Sequence, residues 1–184
     1  MTGNLLAAYA LLAYTAGERL VELAYAQRNT RRLRAAGAIE VGAGHYPLFV
    51  LLHGAWLVSL ALSVGAAVRV DPWLIGLFAL LQLARLWIIR TLGRFWTTRI
   101  ITLPGAPLVR TGPYRFLRHP NYLLVVVEIA VLPLAFGLIA QALIFSALNG
   151  LLIAHRMRVE AAALAPRQAI EKGTSSCAAQ PSRS

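Results

Sequence analysis

Residues 122–154 have the sequence YLLVVVEIAVLPLAFGLIAQALIFSALNGLLIA, in which Glu128 is the one charged side chain. A membrane-spanning helix needs about 20 mostly apolar residues, so this stretch has room for one span or for two short ones. Pro133 and Gly137 interrupt it with no charge beside them, which predicts a tight turn between two helices. A single re-entrant hairpin is the alternative interpretation.

Three more apolar segments precede this stretch. Together they give five predicted spans with soft ends, Leu5–Tyr25, Pro47–Ala67, Pro72–Ile89, Tyr122–Phe136 and Leu138–Ala154. Of the 184 residues, 58% are hydrophobic and only 14% are charged, more apolar surface than a soluble domain of this size could bury. The sequence therefore predicts an all-α, polytopic membrane protein. We expect one domain over residues 1–166 and a polar, unstructured tail over residues 167–184.

The charge distribution predicts the orientation in the membrane. The net charge is +11, and the arginines lie between apolar runs, where they would meet anionic lipid head groups rather than nucleic acid. Arginine clusters follow the first, third and last spans, whereas the opposite loops contain Arg69 alone. The positive-inside rule places the N-terminus outside and the C-terminus in the cytoplasm. With a single cysteine, Cys177, and no CxxC or HExxH pattern, neither a disulfide framework nor a metal site is expected.

Several ionisable residues fall inside the predicted spans. Charge within a membrane is costly and is usually paired or functional. Arg85 is a plausible partner for Glu128 or for the Glu18/Arg19/Glu22 group, and structural pairing is the expected role. His45 and His53 flank the start of the second span and are also interpreted as structural.

A loop with unusual chemistry, TLPGAPLVRTGPYRFLRHPNY at residues 102–122, leads into the fourth span. Pro120 suits the first turn of a helix, with His119 at or just before the cap. The exposed N–H groups of such a helix start form an anion site, which Tyr114, His119 and Tyr122 would surround. The alternative is a membrane re-entry loop whose Arg and Tyr side chains lie among the head groups.

A second polar segment, RMRVE at residues 156–160, ends the fifth span. Arg156 and Glu160 are four residues apart and share one helix face, so they can present a cation and a carboxylate to one pocket. A surface ion pair of little energetic value is the alternative. Both polar segments lie on the same predicted side of the membrane, where a substrate with an apolar tail could enter sideways from the bilayer.

These residues carry a family resemblance. The segment GPYRFLRHPNY at 112–122, followed after one hairpin by residues 156–160, resembles the isoprenylcysteine carboxyl methyltransferase family, and in particular a small bacterial branch of it. The resemblance extends over about residues 5–164. The N-terminal half contributes Glu18-Arg19, Glu22-Leu23, Asn29, Gly37–Glu40, His45–Pro47 and His53 to it. It implies a membrane methyltransferase whose cytoplasmic cofactor pocket lies outside any Rossmann domain.

The resemblance also implies the site residues. Arg156 would face the nucleophilic group of the substrate. The residues implied to hold S-adenosylmethionine are Ala106, Pro107, Leu108, Val109, Tyr114, His119, Pro120, Asn121, Tyr122 and Glu160. The substrate would be an amphipathic or lipidated molecule with an oxygen nucleophile, such as the carboxylate of a prenylated cysteine or the acidic hydroxyl of a long-chain phenol or pyrone.

The chain departs from the family pattern at two places. Ala161 follows Glu160 where members usually have a second glutamate, and Pro166 with a polar tail stands where members continue with an aromatic, folded segment. Two other hypotheses stay open. Membrane reductases of sterol type have a related Arg-His-Pro-x-Tyr segment and would bind NADPH. Ala161 and the tail also leave open a non-catalytic member, such as a degenerate scaffold or an accessory subunit.

Overall fold

The computed structural model describes residues 2–106 and 108–178, with side chains described at 3–44, 46–106 and 108–162. The described chain forms five α-helices: α1 Thr2–Ala35, α2 Tyr46–Ser63, α3 Pro72–Leu92, α4 Pro120–Ala135 and α5 Ile139–Ala178. The expected all-α architecture is confirmed. A small element that we did not predict is an antiparallel pair of short strands, β1 Ile39–Val41 and β2 Ile100–Thr102.

Three of the helices are long and apolar enough to cross a membrane. They occupy Tyr46–Ser63, Pro72–Phe95 and Ile139–Ala162. The helix Pro120–Ala135 is apolar but shorter, and α1 falls outside this group because charged residues recur along it from Glu18 onward. The protein is therefore an integral membrane protein, while the crossing of α1 and α4 stays a prediction.

Local sequence signals explain where the helices begin and turn. The Asp71 carboxylate accepts hydrogen bonds from the backbone N–H groups of Trp73 at 2.8 Å and Leu74 at 3.1 Å, which caps α3. The predicted tight turn between α4 and α5 is confirmed. Gly137 adopts φ +73° there, a left-handed conformation that glycine adopts without steric cost.

A charged layer separates two apolar clusters in the interior. The larger cluster contains Trp56, Leu60, Phe78, Ile129 and Leu132. The smaller one contains Ala26, Ile88, Trp96 and Leu124, with Tyr114 packed against it. Arg85 lies between Phe78 and Ile88 on α3, and Glu128 lies between Leu124 and Ile129 on α4, so the buried charges sit at the level between the clusters.

The end of α5 differs from the expected tail. Its helical backbone continues to Ala178, whereas we expected a polar, unstructured tail from residue 167. Good helix formers, including Ala169, Glu171 and Lys172, continue the helix because propagation adds a hydrogen bond for each residue fixed. Residues 179–184 lie outside the described residues, and the division of the chain at residue 166 stays a prediction.

Candidate functional site

Tyr122 lies at the centre of the candidate site. Its hydroxyl accepts a hydrogen bond from Nε of Arg156 at 2.9 Å and donates one to Oε2 of Glu160. Tyr122 belongs to the first turn of α4, while Arg156 and Glu160 project from one face of α5. The phenol therefore joins the cation and the carboxylate that the sequence placed on a common helix face. Arg156 and Glu160 both bind the Tyr122 hydroxyl, which differs from the surface ion pair that was the alternative interpretation.

Arg156 is held from further sides as well. Its Nη1 donates to the backbone carbonyl oxygen of Thr98 at 2.8 Å, and its guanidinium carbon lies 5.2 Å from the ring centre of Phe49 and 5.7 Å from that of Tyr122. The residue is 9% exposed. The guanidinium is thus fixed in an aromatic, partly buried environment, where cation–π contacts strengthen as water is excluded.

The start of α4 has the predicted form. Pro120 is the first helical residue and is buried, and His119 is the N-cap residue. The imidazole of His119 stacks on the Tyr122 ring, with ring centres 5.2 Å apart and planes 15° apart. Asn121 follows, and its buried Oδ1 has no hydrogen-bond partner among the described residues. This turn therefore offers an aromatic pair and an unused acceptor beside Glu160.

Tyr114 approaches the same carboxylate from a short 3-10 turn, Gly112–Arg115. Burial and then the negative charge of Glu160 raise the pKa of its phenol above the ordinary value of 10, so Tyr114 stays a neutral donor. The turn itself requires Gly112, because φ is +55° and an added Cβ would lie 2.5 Å from Oγ1 of Thr91 on α3. That close approach presses the turn against α3.

The remaining predicted cofactor residues lie in the connection between β2 and this turn. The N–H of Ala106 donates to the carbonyl of Leu103 at 3.2 Å, which closes a tight turn. Leu108 and Val109 follow without regular secondary structure, and Pro107 lies outside the described residues. The role of residues 106–109 stays a prediction.

The charged layer forms an ion network inside the helix bundle. Arg85 pairs with Glu128 and, at 3.2 Å, with Glu22, which confirms that Arg85 has an acidic partner. Arg19 pairs with Glu22 at 2.8 Å and with Glu128 at 2.9 Å, and this second contact was not foreseen. The pairing of Glu22 and of Glu128 with two arginines each is consistent with the structural role expected of intramembrane charge.

A groove of about 720 Å³ runs beside this network between α1 and α3. Apart from the charged residues of the network, its wall is formed mainly by Ala13, Tyr14, Val21, Tyr25, Leu86 and Ile89. The volume falls in the range of a site for a small apolar molecule.

Sequence reasoning missed two groups that touch Arg156. The Thr98 contact is made by a backbone carbonyl, which no residue type signals, and Phe49 is one aromatic residue in an apolar helix. His53 was interpreted as structural, and its Nδ1 lies 2.8 Å from the Phe49 carbonyl oxygen one turn earlier in α2. Among the described residues no group of His, Cys, Asp and Glu side chains could hold a metal ion.

These features define the class of protein: a helical membrane protein with a polar site built from the first turn of α4, one face of α5 and the segment before β2. The chain belongs to the isoprenylcysteine carboxyl methyltransferase family, whose family model matches residues 74–166. The methyltransferases of this family generally use S-adenosylmethionine.

Two bacterial relatives are similar over most of their length. The uncharacterized protein YpbQ of Bacillus subtilis (strain 168) is 35% identical over 159 residues, covering 84% of this chain and 94% of the relative. An uncharacterized protein of Haemophilus influenzae is 27% identical over 154 residues, covering 79% of this chain and 88% of the relative. No solved structure matches this chain.

Proposed function

We propose that this protein transfers a methyl group from S-adenosylmethionine to an anionic oxygen of a lipid-like substrate. The observation that carries the proposal is the arrangement around Tyr122, which places a fixed guanidinium on one side of the phenol and a carboxylate on the other. Transfer of a methyl group to an anionic oxygen can use this combination, with a cationic group to orient the nucleophile and polar groups to bind the cofactor.

The residues at the start of α4 fit the cofactor. S-adenosylmethionine has amine and hydroxyl donors, a carboxylate and a sulfonium cation. Asn121 Oδ1 is a buried acceptor without a partner among the described residues, and Glu160 is a second acceptor. The helix start would accommodate the carboxylate, and the stacked rings of His119 and Tyr122 suit the adenine or the cation. We propose that Tyr114, Pro120 and residues 106–109 complete this pocket.

Arg156 would bind the substrate. A guanidinium has five N–H donors, and its hydrogen bonds within the described part of the chain, to Tyr122 and Thr98, use two of them. The other donors can orient an anionic oxygen by charge-assisted hydrogen bonds. A carboxylate or an acidic enol is already ionised near neutral pH, so the site needs no strong base.

Alignment is the main demand of such a displacement. When bound, S-adenosylmethionine supplies an electrophilic methyl group, so that a new C–O bond forms as the C–S bond breaks and the neutral thioether leaves. Arg156 holds the oxygen, while the Tyr122 hydroxyl and the Thr98 carbonyl keep the guanidinium from rotating away. The substrate's apolar part would remain in the bilayer, and the acceptor would be the carboxylate of a prenylated cysteine or the hydroxyl of a long-chain phenol or pyrone.

The departure at position 161 is compatible with this proposal. Ala161 is exposed, and it lies about 100° around the helix from Glu160. A carboxylate missing from that position leaves the contact between Tyr122 and Glu160 unchanged. We also propose that the site faces the cytoplasm, because the arginine-rich loops flank it and the positive-inside rule then places the N-terminus outside.

The test is calorimetric binding of S-adenosylmethionine to the detergent-purified protein, with NADPH as the parallel ligand. We expect S-adenosylmethionine to bind, and Glu160→Gln and His119→Ala each to weaken binding about tenfold or more, because each removes a contact made to the cofactor. Arg158→Ala, which changes an exposed residue on the same helix, is the control and should bind as the wild type does.

The other outcomes separate the alternatives. Binding of NADPH without binding of S-adenosylmethionine would favour the reductase, and binding of neither would favour a non-catalytic member. Radiolabelled methyl transfer to N-acetyl-S-farnesylcysteine and to a long-chain alkyl hydroxypyrone would then show which kind of oxygen accepts the methyl group.

A further inference from the structure

The Thr98 carbonyl can orient Arg156 only if its own segment is fixed. Residues 93–99 connect α3 to strand β2 and include the 3-10 turn Gly93–Phe95. Within this segment the side chain of Asn29, from α1, donates to the carbonyl oxygens of Gly93 at 3.0 Å and Trp96 at 2.9 Å. The first half of the segment is therefore anchored on α1, but this anchor ends two residues before Thr98.

The second half is anchored on strand β1 and on the first residue of α2. The hydroxyl of Thr98 donates to the Tyr46 hydroxyl at 3.3 Å, and the guanidinium carbon of Arg99 lies 4.2 Å above the centre of the Tyr46 ring. Strand β2 pairs with β1, with Glu40 opposite Ile101. The position of the Thr98 carbonyl thus depends on residues 39–46.

Glu40 is the charged centre of this anchor. Its carboxylate accepts a hydrogen bond from Nη1 of Arg99 at 2.6 Å and forms an ion pair with Arg34. The Glu40 side chain is only 8% exposed, against 33% for Arg99 and 52% for Arg34. A nearly buried carboxylate between two cations makes stronger hydrogen bonds than an exposed pair does.

We propose that Glu40 is a positioning residue for Arg156, acting through Arg99 and the Thr98 carbonyl. The inference rests on the proposed function for its kinetic readout. The family model matches residues 74–166. Glu40 lies outside this range, whereas Thr98, Arg99 and Arg156 lie inside it. The N-terminal half thereby completes the methyl-transfer site without touching substrate or cofactor.

The contacts distinguish this role from simple support of the fold. Arg99 lies next to Thr98 in the chain and reaches Glu40 from the site, whereas Arg34 reaches Glu40 from the end of α1. If Glu40 positions Arg156 through Arg99, removal of the Arg99 side chain should lower kcat as removal of Glu40 does. Removal of the Arg34 side chain should not. Arg34→Gln is therefore the matched control, since it also removes one ion pair of the same carboxylate.

The kinetic test is a double-mutant cycle with Arg156, measured by radiolabelled methyl transfer to an acceptor that the wild type methylates. We expect Glu40→Ala and Arg99→Gln to lower kcat about tenfold or more, since displacement of an aligning group by about 1 Å can cost a hundredfold. Binding of S-adenosylmethionine should change less than about threefold, and Glu40→Gln, which keeps an acceptor, should lose less than Glu40→Ala.

The decisive value is the effect of Glu40→Ala in the Arg156→Ala background. In protein that already carries Arg156→Ala we expect Glu40→Ala to cause no further loss of kcat, because the Arg156 side chain that Glu40 positions has been removed. A second loss of equal size, or an equal loss in Arg34→Gln, would show that Glu40 supports the fold in general and would overturn the proposal.

A second measurement does not depend on methyl transfer. In protein labelled with ¹⁵N-arginine, the Nε–H signal of Arg156 can be assigned because it is missing from the spectrum of Arg156→Lys. This Nε–H proton should exchange slowly with solvent, because the Tyr122 hydroxyl accepts its hydrogen bond. We expect faster exchange in Glu40→Ala and Arg99→Gln and wild-type exchange in Arg34→Gln. An Nε–H unchanged in Glu40→Ala would refute the positioning role, whereas failure of S-adenosylmethionine to bind would refute only the proposed function.

Discussion

Nη1 of Arg156 lies 2.8 Å from the backbone carbonyl oxygen of Thr98, although the two residues are 58 positions apart in the chain. The contact joins α5 to the segment before β2. Together with the hydrogen bond from Nε to the Tyr122 hydroxyl, it holds the guanidinium from two sides. A planar fork bound at two of its donors has one orientation, which is what recognition of an anionic oxygen requires.

Replacement of Arg156 should therefore impair turnover more than cofactor binding. We expect Arg156→Ala to lower kcat about a hundredfold or more, because it removes the group that aligns the nucleophile, and to change the Kd of S-adenosylmethionine less than about threefold. Arg158→Ala is the matched control on the exposed face of α5. Equal losses in the two variants, measured by radiolabelled methyl transfer, would contradict the role given to Arg156.

The Tyr122 hydroxyl should link the two halves of the site. Tyr122→Phe keeps the ring that stacks on His119 but leaves Arg156 and Glu160 each without one partner. We expect S-adenosylmethionine binding to weaken about tenfold and kcat to fall as well, since a lost hydrogen bond to a charged group costs about 1.5–3 kcal/mol. Calorimetry and the methyl-transfer assay would measure the two effects. A variant that changed neither would show that the hydroxyl is only structural.

Gly112 should tolerate no side chain. In Gly112→Ala the new Cβ would meet Oγ1 of Thr91 at 2.5 Å, in a backbone conformation with φ +55°, so the turn bearing Tyr114 must shift. We expect lower thermal stability and weaker S-adenosylmethionine binding. Thr91→Ala added to Gly112→Ala should restore part of the loss, because it removes Oγ1 and Cγ2, the two atoms nearest to the new Cβ. The backbone strain of about 1–2 kcal/mol would remain.

The matched control for this prediction is Gly150→Ala. Gly150 lies inside α5, and an added Cβ there would have no atom within 4 Å. Alanine in a helix interior is favoured over glycine by about 1 kcal/mol, so this variant should be as stable as the wild type or more so. If Gly112→Ala behaved in the same way, the close approach of the turn to α3 would be refuted.

Glu128 should be needed for stability rather than for chemistry. It accepts contacts from Arg19, Arg85 and Gln82, so Glu128→Leu would leave the buried Arg85 and the partly buried Arg19 each short of one acid. Breaking a buried ion pair by removing one partner costs about 3–5 kcal/mol, and we expect a lower midpoint of thermal unfolding in detergent. Arg69→Gln, at an exposed arginine in a loop, is the control and should leave the midpoint unchanged.

The orientation can be tested by fusions. Alkaline phosphatase fused after Gly65, in the connection between α2 and α3, should be active in a bacterial host because that loop is predicted outside. A fluorescent protein fused to the C-terminus should fluoresce, as expected in the cytoplasm. The opposite pair of results would invert the orientation and place the candidate site outside.

The sequence predicted several local features of the candidate site but not their arrangement. The helix start at Pro120, the turn at Gly137 and the common face of Arg156 and Glu160 follow from local rules, because caps, left-handed glycines and helical periodicity depend on neighbouring residues. Those rules extend no further than about one helical turn. They could not show that Tyr122 stands between Arg156 and Glu160 or that a carbonyl at Thr98 completes the contact.

Two differences have the same physical origin. The short strands at Ile39–Val41 and Ile100–Thr102 form only because two loops far apart in sequence meet, and each is too short to be recognised alone. The contact of Arg19 with Glu128 likewise depends on how α1 packs against α4, which no periodicity specifies.

The sequence by itself determined two properties of this protein. Its apolar segments require a bilayer, and its motif belongs to a family of membrane methyltransferases. Hydrophobicity and motif are properties of adjacent residues, so the chain alone contains them. The tertiary structure decided which polar groups face one another, namely Tyr122 with Arg156 and Glu160, and Glu40 with Arg99. Those contacts depend on packing between distant segments, and in a low-dielectric interior their geometry determines whether each charge is stabilised.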